Sequence, residues 1–399
     1  MTSTGLSTPQ IAARPVTLGR NLTGRQRRHI LYQAAFLLVL CALLWLAWRN
    51  VEANLAVRKL ALGFSFLRQE AGFGISFSII PYAETDTYLR VFVVGLSNTL
   101  LIALLGIIAA TLLGFAIGIA RLSPNWAVAK AALVYIETVR NLPLLLHVLI
   151  WYNVVIRSLP PSRQAVNLLD AVFLSNRGIF VPSLETSLGW ETLALLVGGA
   201  VAAIAGILRR ARRWREETGQ PTRVAIPIVF ILAGALLLVA GWGQLRVSWP
   251  ALQGFNFSGG MALSPELSAL VVALAVYNAS FIAELVRGSI EAIGKGQREA
   301  AAALGLDRGR ILKLVIIPQA MRVLVPPLTN QYLHLVKASS LATVIGYPDL
   351  VNVFVGTSLN QTGRAIEIMA MTMAVYLVLS LAITGLSNLQ SRRLRLVER

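Results

Sequence analysis

Ionisable and polar side chains within long apolar stretches are the residues of this sequence best placed to do chemistry. Because a charge in hydrocarbon is costly, such residues are functional candidates by default. Glu284 and Arg287 are three residues apart and share a helix face, which indicates either an ion pair or a gate. A second set predicts either a polar path or hydrogen bonds between helices: Asn98, Thr99, Tyr277, Asn278 and Ser280, with Glu284 beside them.

Other reactive residue types are too sparse or too scattered for catalysis. The single cysteine, Cys41, excludes disulfides within the chain and a cysteine metal cluster, and the three histidines lie far apart, so no metal site is expected. The segment 294–296 (GKG) lacks the first glycine and the hydroxyl residue of a GxxxxGK(S/T) phosphate loop. No nucleophile or carboxylate pair stands at catalytic spacing. We therefore expect no catalytic residue, no bound cofactor and no enzymatic activity.

Composition and the lengths of apolar runs predict the elements that carry these residues. Of the 399 residues, 56% are hydrophobic and 14% are charged, whereas roughly 25% are charged in soluble domains. The predicted fold is all-α, a polytopic membrane protein of about eight transmembrane helices, because a span needs roughly 20 apolar residues. The eight runs are 30–48, 94–119, 143–156, 193–208, 225–242, 267–285, 321–336 and 366–386.

The distribution of basic residues predicts the orientation. The 36 basic residues outnumber the 18 acidic residues and give a net charge of +18. With a cytoplasmic N-terminus, 23 of the 36 lie in inside segments and 10 in outside segments, which favours both termini in the cytoplasm. This topology explains the positive charge without nucleic acid, which we exclude as a partner.

Small residues recur every four positions along the second run. They are Gly106, Ala110, Gly114 and Gly118, which form a stripe on one helix face. Such a stripe lets another helix approach closely, either within the bundle or at a contact between subunits.

The segment between the sixth and seventh runs is predicted to form two helices outside the bilayer. Residues 297–304 are strong helix formers that stop at Gly305, which suits a left-handed helix end. Asp307 is placed to cap a second helix over 308–317, which Pro318 is expected to end. This unit has the form of a docking element for a groove on a partner, or else of an amphipathic surface helix on the membrane.

Six residues of this unit carry a family resemblance: Glu299, Ala300, Ala301, Gly305, Val315 and Pro318. Their order and spacing resemble the EAA loop of ABC-importer permeases, in which isoleucine and leucine stand where this chain has Val315 and Ile317. The resemblance implies that 286–318 is a cytoplasmic coupling loop whose helices sit in the cleft of the ATPase subunits.

Further segments resemble the polar amino-acid (histidine/glutamine-type) branch of these permeases. They are 97–100 (SNTL), 140–145 (RNLPLL), 283–288 (AELVRG), 325–330 (VPPLTN) and 337–341 (KASSL). The branch commonly has RGTP and KDTS where this chain has RNLP and KASS. With the chain length and the extra runs, these variants resemble the Q-type permease subunits of general L-amino-acid or glutamate/glutamine/aspartate/asparagine importers of Gram-negative bacteria.

The resemblance also implies a domain organisation. A type I ABC-importer permease core of five helices is expected within 90–390, preceded by a basic cytoplasmic tail at 1–29 and an added N-terminal helix at 30–48. The core is expected to be interrupted at 160–262 by a periplasmic segment and an inserted helical hairpin.

The implied function is that of a permease subunit in an ATP-driven importer of L-amino acids in the bacterial inner membrane. The expected partners are an ATP-binding subunit that carries the ATP, a second permease subunit, a periplasmic substrate-binding protein, the amino-acid substrate and the lipid bilayer. The alternative is a secondary transporter driven by an ion gradient, which predicts two related halves and acidic residues near the middle of the membrane. The sequence contains no second copy of 299–318 and few such acids, which favours the ATP-driven importer.

Overall fold

The computed structural model of the chain describes residues 24–57, 63–185, 188, 190–219, 224–242 and 246–394. The chain divides into two compact units, Met1–Gly63 and Phe64–Arg399. The first unit contains α1, Gly24–Val57, whose side chains from 31 to 43 are all exposed. The helix predicted at 30–48 lies within α1, and most of the predicted basic tail lies outside the described residues.

The second unit is mostly helical. Its α-helices are α2 (Tyr88–Arg121), α3 (Trp126–Arg140), α4 (Leu144–Ser158), α5 (Trp190–Thr218), α6 (Ala225–Trp242), α7 (Pro265–Glu291), α8 (Lys295–Ala303), α9 (Arg308–Arg310), α10 (Ile317–Ala338), α11 (Leu359–Thr362) and α12 (Ala365–Leu394). Three 3₁₀ segments, Phe64–Arg68, Ser162–Gln164 and Ser339–Ile345, and two π-helical segments, Ile311–Ile316 and Val351–Ser358, complete the helical structure described.

Among the described residues, fewer helices than the predicted eight reach membrane-spanning length, so the count of about eight stays a prediction. Within the described residues, four straight stretches are long and apolar enough to cross a bilayer: Tyr88–Arg121, Pro265–Glu291, Arg308–Ile345 and Ala365–Ser391. A fifth span is possible if α3 and α4, which are bent by 105°, count as one. These five correspond to the predicted five-helix core. The described parts of α1 and α6 contain shorter apolar helices, and α5 continues past its apolar run into the basic residues that follow 208.

Helix α2 packs closely against α7, and the stripe of small residues makes this approach possible. A Cβ at Gly114 would lie 2.6 Å from the Cβ of Ile282, and one at Gly118 would lie 2.8 Å from the carbonyl oxygen of Ala283. The hydroxyl of Ser264 caps α7 by accepting from the Leu267 N–H at 3.2 Å. The stripe therefore serves packing within the bundle, the first of the two predicted possibilities.

The structure is mostly helical, as the all-α prediction requires, but the inserted segment also contains strands that the sequence did not predict. Short antiparallel strands form there: β1 (Val166–Leu168), β2 (Val172–Ser175), β3 (Gly178–Val181), β4 (Ser183–Glu185), β5 (Arg246–Ser248), β6 (Ala251–Gln253), β7 (Asn256–Ser258) and β8 (Met261–Leu263). They make a sheet of order β1-β2-β3-β8 and the pairs β4-β5 and β6-β7. Strands β3 and β4 precede the hairpin of α5 and α6, and β5 and β8 follow it. Because β3 pairs with β8 and β4 with β5, these pairings join the chain before the hairpin to the chain after it.

The prediction that Pro318 ends the second helix of the extramembrane unit is also wrong. The chain continues from α9 through the π-helical segment into α10 without a break, and Pro318 lies in the first turn of α10. A proline ring normally clashes with the carbonyl group four residues earlier. Here the Ile317 N–H bonds to the carbonyl oxygen of Leu312, five residues back, and this wider turn accommodates the ring.

Candidate functional site

The turn between α8 and α9 has the geometry that the sequence predicts. Gly305 has φ of +77°, and its N–H donates to the carbonyl oxygen of Ala302 at 2.9 Å. The Leu306 N–H donates to the carbonyl oxygen of Ala301 at 3.3 Å. These two bonds form a Schellman motif, which ends a helix through a left-handed residue. Helix α8 begins at Lys295, two residues earlier than predicted, so Glu299 lies beyond its first turn.

Asp307 caps the second helical segment, as predicted. One carboxylate oxygen accepts from the N–H groups of Gly309 and Arg310, each at 3.0 Å. The other lies 3.1 Å from Nε of Arg310. The aspartate thus satisfies two backbone donors that helix geometry leaves unpaired, and it fixes the direction in which the chain enters α10.

The outer surface of this unit is exposed and partly apolar. Leu304 is 81% exposed, and Glu299 and Ala300 are exposed beside it. Ala301 faces the opposite way and is only 5% exposed. An exposed leucine next to alanines gives a small docking face at the end of α8, whereas Val315 and Pro318 are half-buried in the base that supports it.

A groove of about 1200 Å³ runs beside this docking face. It lies between the end of α2, the end of α7 and the first turns of α10, and most of its lining is apolar. Arg298, Glu299 and Arg308 add charge to its lining. Glu299 lies both in the groove lining and on the docking face, so the two adjoin. We call them together the coupling surface, after the role that the family resemblance implies.

Glu284 and Arg287 form an ion pair within α7. Nε of Arg287 lies 3.1 Å from each carboxylate oxygen of Glu284, and the guanidinium also contacts Glu291. All three residues lie on one face of the last turns of α7. The structure thus contains the ion pair that the spacing indicates, and a gating role for Glu284 stays a prediction.

Asn98 and Thr99 attach α2 to the segment that follows α10. The Asn98 side-chain amide donates to the carbonyl oxygens of Phe77 at 2.9 Å and of Pro348 at 2.8 Å. The hydroxyl of Thr99 accepts from the Leu350 N–H at 3.0 Å. Both side chains are fully buried, so they hold a connecting segment in place, and their contribution to a solute path stays a prediction.

The polar residues predicted on α7 differ in their surroundings. The buried Asn278 and Ser280 donate to carbonyl oxygens of their own helix, at Leu274 and Tyr277. Tyr277 is half-buried, and its ring centroid lies 5.6 Å from that of His147 and 6.3 Å from that of His334. The ring of Tyr277 thus lies close to side chains of two other helices, α4 and α10. In the part of the chain described, the side-chain hydrogen bonds of Asn278 and Ser280 do not reach Asn98 or Thr99.

Sequence reasoning missed a buried carboxyl group at Asp349. This residue is fully buried, and its carboxylate accepts from the Asn352 N–H at 2.8 Å, as a helix-capping aspartate does. Burial raises the pKa of Asp349 to about 7, against the lowering effect of its backbone hydrogen bonds. An aspartate after a proline and ahead of an apolar run was the available signal for this cap.

Within the described residues, several helices are long and apolar enough to cross a bilayer, which defines a multi-pass membrane protein. Residues 103–396 match the family described as binding-protein-dependent transport system inner membrane component. The chain belongs to this family. It is an inner-membrane transport permease with several spanning helices and not an enzyme.

Three relatives align along almost the whole chain. The permease protein YhdX of Escherichia coli K12 is 51% identical over 89% of this chain and 91% of its own. The general L-amino acid transport system permease protein AapQ of Rhizobium johnstonii is 43% identical over 93% of each chain. The glutamate/glutamine/aspartate/asparagine transport system permease protein BztB of Rhodobacter capsulatus is 39% identical over 91% of this chain and 92% of its own.

Proposed function

We propose that the chain is a permease subunit of an ABC importer that carries L-amino acids across the bacterial inner membrane. The observation that carries this proposal is the coupling surface: an exposed helix end, held by the Gly305 turn and the Asp307 cap, in a chain without a phosphate loop of its own. The similarity to AapQ and BztB, which are named as amino-acid transport permeases, supports the solute class.

The proposed roles of the coupling residues follow from their positions. Glu299 and Ala300 are on the exposed side of α8 and would contact a separate ATP-binding subunit. Ala301, Gly305, Val315 and Pro318 would set the shape and support of the unit. ATP would be bound and hydrolysed on the partner, and this chain would hold no cofactor.

The proposed complex contains a second permease subunit and a periplasmic substrate-binding protein in addition to the ATP-binding subunit. Both termini and the loop that joins α5 to α6 would lie in the cytoplasm, because this orientation puts the larger number of basic residues inside. The strands of the insertion would then lie on the periplasmic side. The competing hypothesis, a secondary transporter driven by an ion gradient, provides no role for an exposed coupling unit outside the spans.

Crosslinking from the tip of α8 tests this proposal. In a Cys41→Ser background, Leu304→Cys places a thiol on the most exposed side chain of the docking face. A short bifunctional reagent should link it to an ATP-binding subunit in native membranes. Leu377→Cys on α12, 59% exposed and in a membrane-spanning stretch, is the matched control and should give no such product. Absence of an ATPase among the Leu304→Cys products would contradict the proposal.

A further inference from the structure

The exposed side chains of α10 differ in character from those of the other long spans. On α12, every exposed side chain between 365 and 386 is apolar or glycine, and the exposed side chains of α2 are also all apolar. This pattern is typical of a surface in contact with lipid. On α10, three of the exposed residues are Asn330, His334 and Lys337, spaced four and three residues apart and therefore on one face.

The remaining faces of α10 are covered by the chain itself. The hydroxyls of Tyr332 and Thr111 lie 2.9 Å apart and join α10 to α2. Thr329 is hydrogen-bonded to Ser387 of α12. Leu335 packs toward Gly106 of α2, where an added Cβ would lie 3.2 Å from its Cδ2. We call the open face with Asn330, His334 and Lys337 the α10 stripe.

Lipid contact does not explain the α10 stripe. Lysine at a helix end can extend its ammonium to the interface. His334 and Asn330, however, lie about 4.5 and 10.5 Å further along the helix axis, at 1.5 Å per residue. Ionisable and amide groups at such positions face the interior of an assembly or a water-filled cavity, because hydrocarbon cannot solvate them.

Lys337 also lacks an acidic partner in the described residues. The ion pairs described there join arginines to Glu284, Glu291, Asp307 and Glu367. A dry contact with another subunit would bury this ammonium, which is costly unless a carboxylate meets it. The carboxylate of a transported solute would also pair with this ammonium, and it would do so only while the solute passes.

The α10 stripe adjoins a residue already predicted to line a path. The ring of His334 lies 6.3 Å from that of Tyr277 on α7, and Tyr277 lies 5.6 Å from His147. The stripe therefore begins at the end of α10 remote from the coupling surface and meets the aromatic residues of α7 one turn further in. A polar surface of this form offers successive hydrogen-bonding groups along the direction of transport.

We propose that Asn330, His334 and Lys337 line the water-filled solute pathway and that Lys337 binds the carboxylate of the transported amino acid. This inference rests on the proposed function, which supplies the zwitterionic solute. In the proposed orientation Lys337 lies toward the periplasm, where a released amino acid would meet its ammonium first. A carboxylate and an ammonium form a charge-assisted hydrogen bond, which suits a transient binding position.

Thiol accessibility tests whether the α10 stripe is in contact with water. Asn330→Cys, His334→Cys and Lys337→Cys, each in the Cys41→Ser background and in the assembled complex, are treated with a cationic, water-soluble methanethiosulfonate. Because a thiol reacts as its thiolate, which needs water, labelling should be about tenfold faster than at Leu377→Cys and Leu104→Cys on the apolar faces. L-Glutamate with its binding protein should slow labelling of His334→Cys, a variant that retains Lys337. Labelling as slow as at the apolar controls would overturn the proposal.

Charge replacement tests the carboxylate contact. Lys337→Met should lower uptake of a mixture of radiolabelled L-amino acids by about tenfold, whereas Lys337→Arg should retain most of it. Stimulation of ATP hydrolysis by loaded binding protein should persist in both variants. Lys130→Met, an exposed lysine of α3, is the matched control and should transport normally. Normal uptake by Lys337→Met would overturn the carboxylate contact.

Failure of the proposed function would be distinguishable from failure of the thiol-labelling test and of the charge-replacement test. It would appear as uptake by the unmodified complex without ATP.

Discussion

Substitution of Gly305 tests whether the turn between α8 and α9 transmits force. The residue has φ of +77°, and this left-handed conformation costs an L-residue about 1–2 kcal/mol. A Cβ at this position would have no heavy atom from beyond the adjacent residues within 4 Å. The cost of a side chain is therefore conformational and not a clash. A cost of 1–2 kcal/mol lowers the population of the native turn by about 5–30-fold.

A graded series of variants separates this backbone effect from side-chain bulk. Asparagine adopts the left-handed conformation readily. Alanine adopts it at the free-energy cost given above, and β-branched valine is the most restricted of the three. Uptake and stimulated ATP hydrolysis should therefore decrease in the order Gly305→Asn, Gly305→Ala, Gly305→Val. The abundance of the chain and its membrane insertion should stay normal, because the turn lies outside the spans.

Reconstituted complexes with each variant provide the assay. Co-purification of the ATP-binding subunit is measured alongside uptake, so that loss of assembly is distinguished from loss of coupling. If side-chain size caused the loss instead of backbone conformation, Gly305→Asn and Gly305→Val should lose similar amounts of coupling, since both side chains are larger than that of alanine. Wild-type coupling in Gly305→Val, or equal losses in Gly305→Asn and Gly305→Val, would refute the reasoning.

Three further predictions concern the spans and their connections. Gly114→Val should destabilise the α2–α7 contact by about 1–3 kcal/mol, because its Cβ would overlap Ile282. Gly385→Val has open space around it and should be tolerated. Thermal unfolding in detergent measures the stability of both variants. Asn98→Ala should lower stability by about 1–3 kcal/mol in the same assay, because the buried carbonyl oxygen of Pro348 and the part-buried one of Phe77 lose their donor. The raised pKa of Asp349, about 7, means that the folded state favours the protonated acid, so the stability of the wild type should fall as pH rises from 5 to 8. Asp349→Asn keeps an acceptor for the capping bond and should not show this part of the decrease; equal pH dependence in both proteins would contradict the assigned pKa.

The extramembrane unit was largely predictable because its signals are local. The Gly305 turn ends α8 and Asp307 caps the following segment through hydrogen bonds between residues at most five positions apart. The effect of Pro318 was mispredicted for a reason that is also physical. Proline is a strong helix-breaking signal, but a π turn ahead of Pro318 removes the clash of its ring with the preceding turn. No pattern in the local sequence predicts that π turn.

The strands of the insertion and the α10 stripe were beyond local pattern reading. The strands are only three or four residues long, and two of their pairings join segments separated by the hairpin of α5 and α6. The exposed face of α10 depends on which of its sides α2, α7 and α12 cover. Asn330 and His334 therefore become distinct from the buried Thr329 only when the bundle is assembled.

The energy source for uptake tests the central claim most directly. Proteoliposomes that contain the co-purified complex of this chain are loaded with ATP or with none, and they are given ion gradients of either direction in the presence of loaded binding protein. A permease subunit of an ABC importer predicts uptake of radiolabelled L-amino acids with ATP and none with a gradient alone. Uptake driven by an ion gradient in the absence of ATP would contradict the assignment.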